Sequence, residues 1–116
     1  MHIEAFYDYC RSFPGVTEGF PFGEDVLVFK VMGKMFALCD VDEFKSINLK
    51  CDPVRALELR ATYEEIQPGY HMSKKHWNTV SMQGSLEDEL IEELISHSYE
   101  LVVDKLPQKD REKLGR

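Results

Sequence analysis

The period of the apolar residues changes several times along this chain, and each change marks an element. Ile3, Phe6, Tyr7 and Cys10 recur at helical spacing and predict an amphipathic helix over roughly residues 2–12, ended by Pro14-Gly15. Residues 17–22 are short and aromatic, a strand leading to a turn at Gly23. Residues 26–31 and 35–39 are β-branched and aromatic runs. Met32-Gly33-Lys34 lies between them, with glycine able to supply the positive φ of a tight hairpin. A further strand over residues 46–50 follows the polar turn at 40–45.

Asp52-Pro53 opens a second helix. The aspartate can accept from free backbone amides, and proline fits the first helical position, where no N–H is needed. That helix carries Ala56, Leu57, Arg60 and Ala61 to about residue 62. A short helical turn over 63–66 precedes Pro68-Gly69, and residues 77–82 have strand character before a turn at Gln83-Gly84. Ser85 with Asp88 has the spacing of a capping box. Leu86, Leu90, Ile91, Leu94, Ile95, Ser98, Leu101 and Val102 then trace one stripe with a period near 3.6. Pro107 breaks the chain, and residues 108–114 form a short helix or tail. The order of elements predicts an α+β fold: a single antiparallel sheet with helices packed on one face.

Composition narrows the class. The 116 residues are the length of one domain, 1–116, with 43% hydrophobic and 30% charged residues, as in globular proteins. No apolar run has the roughly 18 residues of a membrane span, and the N-terminus lacks the basic and apolar regions of a secretory signal. A cytoplasmic protein without a membrane partner is expected. Cys10, Cys39 and Cys51 are odd in number and widely spaced, so buried free thiols are expected rather than disulfides or a metal site. The formal net charge is −7. Residues 86–104 carry seven acids and no lysine or arginine, which accounts for all of it. The acidity therefore belongs to one helix, and an acidic chain of this kind can still present a basic surface elsewhere.

The richest chemistry lies in residues 68–80, Pro-Gly-Tyr-His-Met-Ser-Lys-Lys-His-Trp-Asn-Thr-Val. Lysines neutralise phosphates and aromatic rings stack on bases, so the segment suits nucleic acid. With Lys30, Lys34 and Lys50 on or near the central strands, Lys74 and Lys75 would complete a five-lysine patch if the topology brings them together. The alternative is that Trp77 anchors the core and the lysines are ordinary solvated ends. His71 and His76, with Tyr70 or Lys75, could also serve as acid–base groups. No HExxH, GxSxG, P-loop or Rossmann pattern accompanies them, so no enzyme and no cofactor are expected. Phe20-Pro21-Phe22-Gly23 is either a strand end with a turn or the wall of a pocket, with Pro21, Phe22, Tyr70 and His71 as its lining. Ser98-Tyr99 can set a hydroxyl pair against the sheet.

Several of these strings together resemble the MmcQ/YjbR family of small bacterial proteins. They are Phe20-Pro21-Phe22-Gly23, Gly33-Lys34-Met35-Phe36-Ala37, Asn48-Leu49-Lys50-Cys51-Asp52-Pro53, Leu59-Arg60, Pro68-Gly69-Tyr70-His71-Met72, Lys74-Lys75-His76-Trp77-Asn78-Thr79-Val80 and Ser98-Tyr99. The resemblance spans nearly the whole chain, with Ser73 standing where the family pattern has Asn. It implies a fold similar to CyaY and to type III secretion chaperones, and it implies DNA binding. Carried onto this sequence, the contact residues would be Lys34, Lys50, Lys74, Lys75, His76 and Trp77. A protein-interaction or chaperone-like module, using the acidic helix and the Phe20–Phe22 edge, is the alternative. A small-ligand binder or enzyme built on His71, His76 and Tyr70 is the third reading.

Overall fold

The computed structural model describes residues 1–116. Helix α1 (Ile3–Arg11) is capped by His2, whose Nδ1 accepts from the Ala5 N–H at 3.3 Å, and it buries Phe6 and Cys10. Six strands follow, interrupted by one helix: β1 (Val16–Gly19), β2 (Val26–Val31), β3 (Lys34–Asp40), β4 (Ser46–Lys50), α2 (Pro53–Thr62), β5 (Ile66–Pro68) and β6 (Trp77–Ser81). They form one antiparallel sheet in the order β1-β2-β3-β4-β6-β5. Helices α3 (Asp88–Asp104) and α4 (Gln108–Lys113) complete the chain.

The expected hairpin forms with a two-residue loop. Met32 and Gly33 both have positive φ, 49° and 81°, the backbone of a type I′ turn whose twist matches that of the strands. Asp52 caps α2 as its sequence implies, its Oδ2 accepting from the Arg55 N–H at 3.0 Å. Three expectations fail. The strand expected over residues 17–22 ends at Gly19, and Phe20, Pro21 and Phe22 belong to the connection to β2. The segment at 63–66 is a tight turn that feeds strand β5, because Ile66 to Pro68 pair with Val80 to Asn78 of β6. Ser85 does not cap α3: its N–H and hydroxyl both go to Glu65 Oε2, each at 3.1 Å, and the helix begins at Asp88, which pairs with the N-terminal amine at 3.0 Å.

Strand alternation sorts the side chains onto two faces. One face carries Leu27, Phe29, Val31, Ala37, Cys39, Ile47, Leu49 and Val80, and it is covered by α1 and α3 to form the main core. Phe6, Phe29, Phe36 and Tyr99 meet there mainly edge to face. All three cysteines are buried free thiols. Burial pushes the Cys39 and Cys51 pKa values up to about 12 and about 11, so neither is a ready nucleophile.

One irregularity gives the Lys50 end of the sheet its shape. The β2–β3 register slips between Phe29 and Lys30, so Phe36 is an extra residue on β3, a β-bulge. The β3–β4 ladder ends with the pair Ala37 and Leu49. Beyond it, Ser98 of α3 takes the place of the missing rung. Its hydroxyl donates to the Phe36 carbonyl at 2.5 Å and accepts from the Lys50 N–H at 2.9 Å. Tyr99 beside it donates to the Pro14 carbonyl at 2.6 Å. The hydroxyl pair thus lies against the sheet and the turn between α1 and β1.

Candidate functional site

The second face of the sheet has no helix on it. Its paired positions are Val26 with Asp40, Val28 with Leu38, Lys30 with Met35, Ser46 with Ser81, Asn48 with Thr79, and Lys50 with Trp77. Only Val28, Leu38 and Trp77 are fully buried, as a small cluster flanked by Val26, Met35 and Met72. The cover over part of this face is the loop 69–76.

That loop is fixed by its own backbone and by neighbours. The Gly69 N–H donates to the Trp77 carbonyl at 2.9 Å, and a Cβ at Gly69 would stand 2.7 Å from that of Trp77, so only glycine fits. The Tyr70 N–H donates to Thr79 Oγ1 at 2.9 Å, and the Asn48 amide donates to the Tyr70 carbonyl at 3.3 Å. Thr79 and Asn48 are themselves joined at 2.5 Å. From α2, Arg60 donates to Asn78 Oδ1 at 2.7 Å and to the carbonyls of Trp77 and Lys74, which ties the loop from its far side. Arg60 and Asn78 are therefore positioning residues that the motif reading left unassigned.

Two concave regions result. The first opens where β3 and β4 part beyond the bulge. Lys34, Lys50 and Lys105 converge on a depression of about 490 Å³, floored by Met35, Trp77, Val102, Leu106 and Pro107. None of the three ammonium groups makes an ion pair or a side-chain hydrogen bond. Burial, then the charges of Lys105 and Lys34, hold the Lys50 pKa below the usual lysine value, and no carboxylate offsets them. Lys34 and Lys50 were legible as candidates. Lys105 was not, because it follows the acidic helix and reaches the others only through the docking of α3.

The second region is a cleft, also of about 490 Å³, near the other end of β4. Phe22, Val26, Leu38, Ser46, Asn48, Tyr70, His71 and Met72 are among its lining. Phe22 and Tyr70 are 63% and 68% exposed, and the His71 ring lies tilted against Tyr70 with centroids 4.0 Å apart. His71 has a left-handed backbone, φ 59°, a conformation non-glycine residues adopt at a cost. Pro21 is exposed at the turn beside Phe22 and does not line the cleft.

The remaining candidates lie elsewhere. The Lys74 ammonium donates to the Gly69 carbonyl at 3.1 Å and so fastens the loop. Lys75 stands over α2 beside Pro53, Val54, Leu57 and Arg60, apart from the other lysines. His76 is half-buried, its carbonyl accepting from the Cys51 N–H at 2.8 Å. Trp77 is only 7% exposed, which corrects its assignment as a contact residue: its ring is the anchor of the open-face cluster and offers no free surface for stacking. The five lysines at 30, 34, 50, 74 and 75 do not form a single patch. The cationic site is smaller, and one of its members is new.

The acids of α3 are partly spent within the chain. Besides Asp88, Glu93 pairs with Arg55 through both oxygens, and Glu100 pairs with Arg116 likewise. The acid-rich first turns lie at the end of α3 opposite Lys105, about 24 Å away at 1.5 Å per residue. No helix of the protein is long and apolar enough to cross a membrane.

Known proteins match this chain along most of its length. The uncharacterized protein YbdF of Escherichia coli O157:H7 is 40% identical over 102 residues, covering 87% of this chain and 84% of that protein. The uncharacterized protein YjbR of Escherichia coli K12 is 32% identical over 115 residues, 98% of each. Among solved structures, Deinococcus radiodurans protein DR2400, a DUF419 domain, superposes with a TM-score of 0.90 at 40% identity, covering 97% of this chain and 87% of that one. The YjbR family model matches residues 11–101, and the chain belongs to the YjbR family.

Proposed function

We propose that this protein binds nucleic acid, taking the phosphate backbone at the Lys34, Lys50 and Lys105 cluster. The observation that carries the reading is the convergence of three unpartnered ammonium groups on one depression, with burial and mutual repulsion already raising the cost of Lys50's charge. An anion placed among them relieves that repulsion and needs no rearrangement of the fold. Lys30, on the open face beside Met35, extends the positive field along the sheet. The acid-rich first turns of α3 stand at its opposite end, and Glu100 near the Lys105 end is paired with Arg116. An acidic surface for a basic protein partner has less support, because Asp88, Glu93 and Glu100 are already paired within the chain.

Three phosphate contacts give weak, strongly salt-dependent binding. The logarithm of affinity falls with the logarithm of salt with a slope of about −0.9 per contact on duplex and about −0.7 on single strands, hence roughly −2 to −3 here. Fluorescence anisotropy with a labelled oligonucleotide across several salt concentrations measures it. Lys50→Gln and Lys105→Gln each weaken binding and make the slope shallower by about one contact. Lys75→Gln, over α2, leaves the slope unchanged. No binding at low salt, or equal effects of Lys75→Gln and Lys105→Gln, overturns the reading.

A further inference from the structure

Resting on that reading, we propose that the cleft between Phe22 and the Tyr70–His71 pair receives an unpaired nucleobase, so that the ligand is a single strand and not a duplex.

The cleft has the volume of a small-molecule site, within the usual range of about 300–1,000 Å³. Its walls are aromatic and its floor is apolar, with Val26, Leu38 and Met72 beneath the rings. Phe22 and Tyr70 keep most of their surface in water, a costly state for large apolar rings unless a partner covers them. Tyr70 is also held in place before any ligand arrives, by the bonds of its N–H to Thr79 and of its carbonyl to Asn48. An exposed ring on an anchored main chain suits stacking on a base, because the backbone loses little freedom on contact.

The polar groups in the cleft suit a base and not a phosphate. The Ser46 and Tyr70 hydroxyls and the His71 imidazole make no hydrogen bond within the protein, so they are free for the donors and acceptors of a heterocycle edge. The acidic group beside them is Asp40, whose carboxylate accepts from the N–H groups of Glu43, Lys45 and Ser46. A carboxylate at the rim repels phosphate.

The two regions are joined by β4. Ser46 and Asn48 line the cleft, and Lys50, on the same face of the same strand, belongs to the lysine depression. Four residue steps along the strand separate Ser46 from Lys50 by about 13 Å. A flexible strand can set a base in the cleft and a phosphate among the lysines at once. A base paired within a duplex cannot enter the cleft.

The test measures anisotropy of a labelled oligothymidylate and of a duplex of equal length, in the same low-salt buffer, with the wild-type chain and three variants. The wild-type chain is expected to hold the single strand at least tenfold more tightly. Phe22→Ala and Tyr70→Ala, both at exposed positions that the fold does not need, each lower single-strand affinity about tenfold and leave duplex affinity and the salt slope unchanged. Lys105→Gln weakens both ligands together. Equal affinity for the two ligands in the wild-type chain overturns the cleft proposal alone, as does a single-strand affinity that Tyr70→Ala leaves intact. Absence of salt-dependent binding to either ligand overturns the nucleic-acid reading and this proposal with it.

Discussion

The two faces of the sheet are built from the same strands and have opposite characters. On the helix-covered face, each large side chain is enclosed by neighbours, and even the Ser98 hydroxyl is used twice. On the open face, three residues are buried, lysines stand without counter-charges, and two aromatic rings lie mostly in water. The covered face accounts for why the chain folds. The open face carries features that folding does not require and that a partner would use. Because side chains alternate along a strand, one residue's shift in register would exchange these roles, so the bulge at Phe36 matters to both faces.

The sharpest way to break the contrast is a pair of truncations. Phe36→Ala on the covered side removes a fully buried ring and is expected to cost about 3–5 kcal/mol of stability. Tyr70→Ala on the open side is expected to change stability by no more than about 0.5 kcal/mol. Urea unfolding followed by far-UV circular dichroism measures both. Similar costs at the two sites would mean that the open face also carries the fold.

A smaller effect is expected at the seam between the layers. Ser98→Ala leaves the Phe36 carbonyl and the Lys50 N–H without a partner in a buried place, at a cost of about 1–3 kcal/mol. Hydrogen exchange should show faster exchange at the Lys50 amide, while amides of the β1–β2 pair keep their protection.

The smallest effect separates the faces by pH. His97, on α3, accepts the Asp52 N–H at Nε2, and burial first, then Arg55, holds its pKa below the ordinary 6.5. A group with its folded-state pKa depressed favours the folded chain while neutral. Its contribution is present above pH 6.5 and is lost as the pH falls toward the folded-state value. The denaturation midpoint should therefore decline modestly on acidification below pH 6.5, and His97→Gln should flatten that decline. A midpoint equally pH-dependent in the variant would assign the effect to other groups.

Much of the fold was legible because it is local. The Met32-Gly33 turn, the strand at 46–50, the Asp52 cap and the α3 stripe each depend on residues a few positions apart. The failures were contests with distant partners. Residues 63–66 have short-range helical character, but pairing with β6 draws Ile66 into a strand. Ser85 has the spacing of a cap, but Glu65 competes for it from across the fold. The site divides in the same way. The strings that carry Lys34, Lys50, Tyr70 and His71 stood out, and so did the aromatic turn with Phe22. That Lys105 joins the first two, that Lys75 leaves them and that Trp77 turns inward are consequences of strand order and of the docking of α3, which no local spacing encodes.

The serine stitch also bears on how the molecule is assembled. A rung of the ladder supplied by a helix side chain ties α3 directly to the main chain of two central strands. The central strands cannot saturate their main-chain groups at that point until the late part of the chain has docked. Truncation before Asp88 should therefore yield no independently folded sheet, and the molecule should melt as one cooperative unit from end to end.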